Sequence, residues 1–178
     1  HCRTDANLPV RVAPQWARMW NRPHWRGPTV ARVVESWPDD RPWQRRNGAL
    51  ASVDLSGFTR FTERLSAMGR YGSEEVTTSV NDLFGPIIGE ALVEGGDVLT
   101  FGGDAVLTWF DGDDGRRASV AVARMQDHLG SRGLLDTPLG PVRIRMSVGV
   151  ATGEVVLAPL DPTGTHLAVL GPTATAAI

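Results

Sequence analysis

The segment Ala49-Leu50-Ala51-Ser52-Val53-Asp54-Leu55 constrains the fold more than any other stretch of the chain. It is an apolar run of strand length and reads as a buried strand, which other elements must cover. Its one charge, Asp54, sits next to its end, where a carboxylate is costly unless something pairs with it. Ser56-Gly57-Phe58-Thr59 follows at once and opens a helix through about Met68. Thr59 and Glu63, with Ser56 ahead of them, suit a helix N-terminus.

The rest of this region alternates in the same way. A second helix fits Ser73 to Val93, with Val76, Val80, Leu83, Phe84, Ile87, Ile88 and Leu92 on one face, and Gly85-Pro86 should kink it. Asp97–Phe101 and Ala105–Phe110 read as strands around Gly102-Gly103-Asp104, a tight hairpin. Asp114 to about Leu129 is a helix with Val120, Ala123 and Met125 inward. Val142–Ala151 and Glu154–Ala158 read as a hairpin across Thr152-Gly153, and His166–Leu170 as a last strand. The order β-α-α-β-β-α-β-β-β predicts an α+β domain of ferredoxin-like type with a mainly antiparallel sheet.

Residues 1–47 differ in character. They hold five of the six tryptophans and six of the twelve prolines, so only short helices fit, over 14–21 and 28–36. This Trp/Pro/Arg-rich leader is expected to pack its tryptophans on the domain that follows or on a neighbour. All 18 basic residues are arginine. Residues 1–46 carry 9 of them against 4 acids, and residues 47–178 carry 9 against 16. The basic leader spreads its arginines among prolines and tryptophans, which argues against a nucleic-acid surface. Cys2 is the single cysteine, which excludes an internal disulfide or a Cys-based zinc site. No apolar run is long enough to span a bilayer, and the first residues lack the apolar core of a signal peptide. The expected setting is cytoplasmic.

Asp54 and Asp104 are the residues that carry chemistry. In a ferredoxin-like sheet, the strand ending in Asp54 and the hairpin holding Asp104 can be neighbours, which points both carboxylates at one spot. Two carboxylates together with phosphate oxygens suit Mg²⁺ or Mn²⁺. The helix start at Ser56–Thr59 offers unbonded N–H groups and a positive dipole end to phosphate, and Gly57 lets that backbone come close. Taken singly, an acid before a helix is an ordinary cap and Gly-Gly-Asp an ordinary turn. The combination is what points to a site.

These residues resemble the class III adenylate/guanylate cyclase catalytic domains. The resemblance lies in ALASVDLSGFTRFTERL, in GGDVLTFGGDAVLTWF, and in RMSVGVATGEVV followed by LAVLGPTATAA. It covers about residues 48–178 and is nearest to the soluble-adenylyl-cyclase-like bacterial proteins, which often carry two such domains in tandem. It implies that Asp54 and Asp104 are catalytic and ligate two Mg²⁺ or Mn²⁺ ions, with a backbone carbonyl from Leu55. It implies substrate contacts from Ser56, Gly57, Phe58 and Thr59, the triphosphate loop that Phe58 shields, and from Gly103. The reaction implied is attack of the ribose 3′-hydroxyl of ATP on its α-phosphate, giving 3′,5′-cyclic AMP and pyrophosphate.

The departures from the family pattern matter equally. Thr100 stands where homodimeric cyclases have their adenine-reading lysine. Ala168 stands at the second base-reading position and Thr175 at the ribose-orienting asparagine. The transition-state arginine would fall at 179, so 48–178 is read as a C-terminally incomplete domain. A soluble protein of this kind is expected to be the metal- and phosphate-binding half of a pair, completed by a second cyclase-like domain and inactive alone. The alternative is a degenerate regulatory or interaction domain. ATP is the expected nucleotide, with GTP open, because Thr100 and Ala168 read neither base. Bicarbonate activation is not expected, since its basic contacts align with Thr100 and Ile178. Gly102-Gly103-Asp104 also resembles the diguanylate cyclase loop, but the Glu and Phe that follow there are absent. No Gly-x-Ser-x-Gly elbow is present, and His24, His128 and His166 lack ligand spacing.

Overall fold

The computed structural model describes residues 37, 41–66, 70–102, 104–135, 140–160 and 167–178. The short helices expected over 14–21 and 28–36, Gly103, His24 and His166 lie outside them, as do the side chains of Val76 and Val80. The element order is β1 (Gln44–Ser56), α1 (Phe58–Ser66), α2 (Arg70–Val93), β2 (Asp97–Gly102), β3 (Ala105–Asp111), α3 (Arg116–Arg132), β4 (Leu134–Leu135), β5 (Val142–Arg143), β6 (Arg145–Pro159), β7 (Leu167–Leu170) and α4 (Pro172–Ala177). Five strands form one antiparallel sheet in the order β2-β3-β1-β6-β7, while β4 and β5 pair separately.

The apolar run around Ala49 becomes the central strand, paired on both edges. Its alternation divides the core in two. Ala49, Ala51, Val53 and Leu55 point to the face packed by α1, α2 and α3, together with Phe58, Phe61, Phe84, Ile87 and Met125. Leu50 points to the other face and packs with Leu99, Trp109, Val155, Leu157, Leu167, Ala174 and Ala177. Trp37 lies against this second cluster, so one leader tryptophan does pack on the domain, while Trp43 stays half exposed. The helix α2 runs on through Pro86.

Two expectations are corrected. There is no hairpin at Thr152-Gly153. β6 is one continuous strand of 15 residues, paired antiparallel to β1 from Gln44↔Leu157 to Ser56↔Arg145. Gly153 there has a φ of 141°, and an added Cβ would meet Thr173 Oγ1 at 2.7 Å. The glycine thus serves the approach of α4, and Val142 belongs to the separate β5. In α3 the buried stripe is Ala118, Ala121, Val122, Met125 and Leu129, while Val120 and Ala123 face outward. The helix starts at Arg116 and not at Asp114, and its stripe at i, i+3, i+4, i+7 and i+11 is set by docking on the sheet.

Candidate functional site

The site is assembled where β1 ends. Asp54 pairs with Ala105 at the start of β3, and the next residue, Leu55, donates its amide to the Asp104 carbonyl at 3.1 Å. One backbone hydrogen bond therefore joins the two acid-bearing segments. Leu55 buries its side chain on the helical face, so by alternation Asp54 turns to the opposite face. The Asp54 carboxyl is held above its ordinary range, first by burial and then by the negative charge of Asp104. The two carboxylates are thus close enough to repel.

The loop that follows is just as tightly placed. Gly57 adopts a φ of 95°, and an added Cβ would sit 2.6 Å from the Arg143 carbonyl oxygen. Glycine meets both demands there. The first helical hydrogen bond of α1 runs from the Phe61 amide to the Gly57 carbonyl at 3.1 Å, so the amides before it in the first turn have no place in the helical ladder. Phe58 is buried and packs edge-on against Phe84 with centroids 5.2 Å apart, and against Phe61 at 6.1 Å. Its ring anchors the loop from beneath. Thr59 Oγ1 donates to Asp104 Oδ2 at 3.0 Å, which ties α1 to the β2–β3 turn.

Asp54, Asp104, Leu55 and the Ser56–Thr59 loop therefore come together as expected from the sequence, while Gly103 lies outside the described residues. Thr100 and Ala168 do not come together within this chain. Thr100 is on β2 and Ala168 on β7, the two opposite ends of the sheet order. Thr175 is exposed on α4, with its hydroxyl 3.5 Å from the Gly171 carbonyl. His128 is spent on Glu90, with Nε2 2.8 Å from Oε1.

One residue escaped the sequence reading. Arg145 stands directly opposite Ser56 in the β1–β6 register, on the same face as Asp54 and exposed. It has no ion pair among the described residues, whereas Arg45, Arg46, Arg116, Arg117 and Arg124 all have one. It already lay within the expected strand Val142–Ala151, but only the β1–β6 register sets it opposite Ser56.

The arrangement suits a divalent cation. Two mutually repelling carboxylates gain from a positive charge between them, and none of the arginine ion pairs of the described residues reaches either one. Among the described residues no third acid, histidine or cysteine joins them. That leaves coordination positions for water and phosphate oxygens, as Mg²⁺ prefers.

No protein-family model matches the chain. It is 31% identical over 158 residues to adenylate cyclase type 10 of Homo sapiens, covering 80% of this chain and 10% of that protein. It is 31% identical over 131 residues to adenylate cyclase type 10 of Oryctolagus cuniculus, covering 70% of this chain and 8% of that protein. The chain thus spans about a tenth of the length of these curated relatives. The crystal structure of the guanylyl cyclase Cya2 is similar with a TM-score of 0.60 at 30% identity, over 76% of this chain and 68% of that one. The adenylyl cyclase CyaB from P. aeruginosa shares the fold with a TM-score of 0.56 at 22% identity, over 76% of this chain and 70% of that one.

Proposed function

This chain belongs to the class III nucleotidyl cyclase catalytic domains, and from that premise we propose that it is the metal- and phosphate-binding half of a paired site that cyclises ATP to 3′,5′-cyclic AMP and releases pyrophosphate. It would thus act as a phosphorus–oxygen lyase. The observation that carries the reading is the Asp54–Asp104 pair, joined across β1 and β3 beside the start of α1.

Asp54 and Asp104 would hold the cations, with the Leu55 carbonyl as a further oxygen ligand. Bound there, Mg²⁺ or Mn²⁺ would supply charge neutralisation of the phosphates and a lowered pKa for the ribose 3′-hydroxyl. The first-turn amides of α1 would bind the triphosphate, and Arg145 would add positive charge on the Ser56 side. Gly57 lets that backbone lie close against the Arg143 carbonyl. Catalysis by this half is then positioning and charge neutralisation. Base reading and stabilisation from the far side would come from the second domain, because Thr100, Ala168 and Thr175 offer neither a cation nor an amide.

The test uses Asp54→Ala and Asp104→Ala in the protein assembled with its partner domain, with cyclic AMP followed chromatographically and folding by circular dichroism. Each variant should lose more than about a hundredfold in rate while keeping the fold, in line with losses on removing key electrostatic groups. Unchanged activity in either one rules out the assignment. The same three substitutions, Thr100, Ala168 and Thr175, favour a second reading as a non-catalytic cyclase-like regulatory domain. That reading requires that no metal-dependent nucleotide binding be found.

A further inference from the structure

The Thr59 hydroxyl has one hydrogen, and it is given to Asp104 Oδ2. The bond joins residues 45 positions apart in sequence, one in the first turn of α1 and one in the turn between β2 and β3. It also opposes a repulsion. Asp54 pairs with Ala105, and the Leu55 amide bonds the Asp104 carbonyl at 3.1 Å, so the two like-charged side chains are held near each other. A free Asp104 side chain would relieve that by turning outward.

We infer that Thr59 is a positioning residue for the metal centre: its hydroxyl fixes the Asp104 carboxylate beside Asp54, while the substrate phosphate meets Thr59 through its backbone amide and not its hydroxyl. This rests on the reading that Asp54 and Asp104 hold the cation. One Asp104 oxygen is engaged by Thr59 and the other remains for the ion. Hydrogen-bonded support of this kind orients a carboxylate ligand, and its loss typically costs about 10–100-fold in metal affinity. The same bond couples the phosphate loop to the metal site, since α1 and the Asp104 turn cannot move independently while it lasts. A simple helix tether is the competing account. Thr59 is exposed, and an exposed hydrogen bond of that sort contributes to stability without altering affinity for an ion.

The experiment is a Mn²⁺ titration of the full chain, with free Mn²⁺ read by electron paramagnetic resonance, so that no turnover is needed. Thr59→Val removes the hydroxyl at nearly constant shape, Thr59→Ser keeps it, and Asp104→Asn reports on the ligand itself. Thr59→Val should weaken Mn²⁺ binding by about tenfold or more, Thr59→Ser should restore it to within about threefold, and Asp104→Asn should remove it. Thr59→Ala carries the same expectation if the valine variant fails to fold. Wild-type affinity in the valine or alanine variant, with Asp104→Asn still defective, overturns the role of Thr59 and leaves the metal reading standing. Undiminished binding in Asp104→Asn overturns the metal reading, and the role of Thr59 with it.

Discussion

Asp54 is a residue that the fold holds at a cost. Its charged form is disfavoured in the folded chain by burial and then by Asp104. A folded-state pKa raised above the ordinary 3.8 means that ionised Asp54 weakens the fold at any pH above that raised value. The penalty fades as pH falls through it. Asp54→Asn should therefore raise the melting temperature of the cation-free chain at pH 7, and the gain should close toward acid pH. A melting series in chelator checks both parts, and an asparagine variant less stable at pH 7 contradicts the argument. Gly57 is the second such residue. An alanine there meets the left-handed backbone penalty of about 1–2 kcal/mol and a contact of 2.6 Å with the Arg143 carbonyl. Gly57→Ala should cost about 2 kcal/mol or more in denaturant unfolding, and should shift the Ser56–Thr59 loop. The sequence marked Gly57 as a point of close approach, but the atom it approaches comes from residue 143 and was not legible locally.

At the level of elements, α3 shows how a start is set. Asp114 Oδ1 accepts from the Arg116 amide at 3.3 Å, and Asp113 accepts from the Arg117 and Ala118 amides at 3.2 and 3.0 Å. Three of the four unbonded amides of the first turn are thereby met. Burial pushes the Asp113 carboxyl up, but the Ala118 and Arg117 amides, the Arg117 charge and the Gly115 amide outweigh it, so its pKa is lowered from 3.8. A lowered acid contributes stability that is complete above its unfolded value and is lost as pH falls through the folded one. Asp113→Ala should cost about 0.5–2 kcal/mol at pH 7, and the difference from wild type should shrink as pH falls through the folded-state value, which lies below 3.8. Urea unfolding at several pH values measures it. The sequence started this helix at Asp114, whereas its two acids lie outside it as caps; of the residues expected inward, Met125 is buried, while Val120 and Ala123 face outward.

At the scale of the molecule, the sheet keeps Asp54 apart from Thr100 and Ala168. Asp54 lies on the central strand, while Thr100 and Ala168 lie on opposite end strands. A two-fold dimer of identical chains would bring Thr100, Ala168 and Thr175 to each site again, since symmetry repeats the same groups. The expected outcome is that this chain with Mn²⁺ and ATP forms little cyclic AMP alone, and that adding a cyclase domain bearing lysine, asparagine and arginine at those positions raises the rate by at least about a hundredfold, the scale of a lost transition-state donor. Strong turnover by the chain alone would show that the half-site reading is wrong.

What the sequence determined by itself was local. The apolar run from Ala49, the acid at its end and the Ser-Gly-Phe-Thr start of a helix each follow from period, propensity and backbone freedom within a few residues. The two aspartates and the α+β order were legible for that reason. What only the tertiary structure decided was non-local. β6 is continuous because 13 residues of β1 pair along it, which overrides the turn signal of Thr152-Gly153. Arg145 stands on the Asp54 face because register, and not sequence distance, puts it opposite Ser56. Thr59 meets Asp104 because closing the sheet brings two turns together that the chain keeps 45 residues apart.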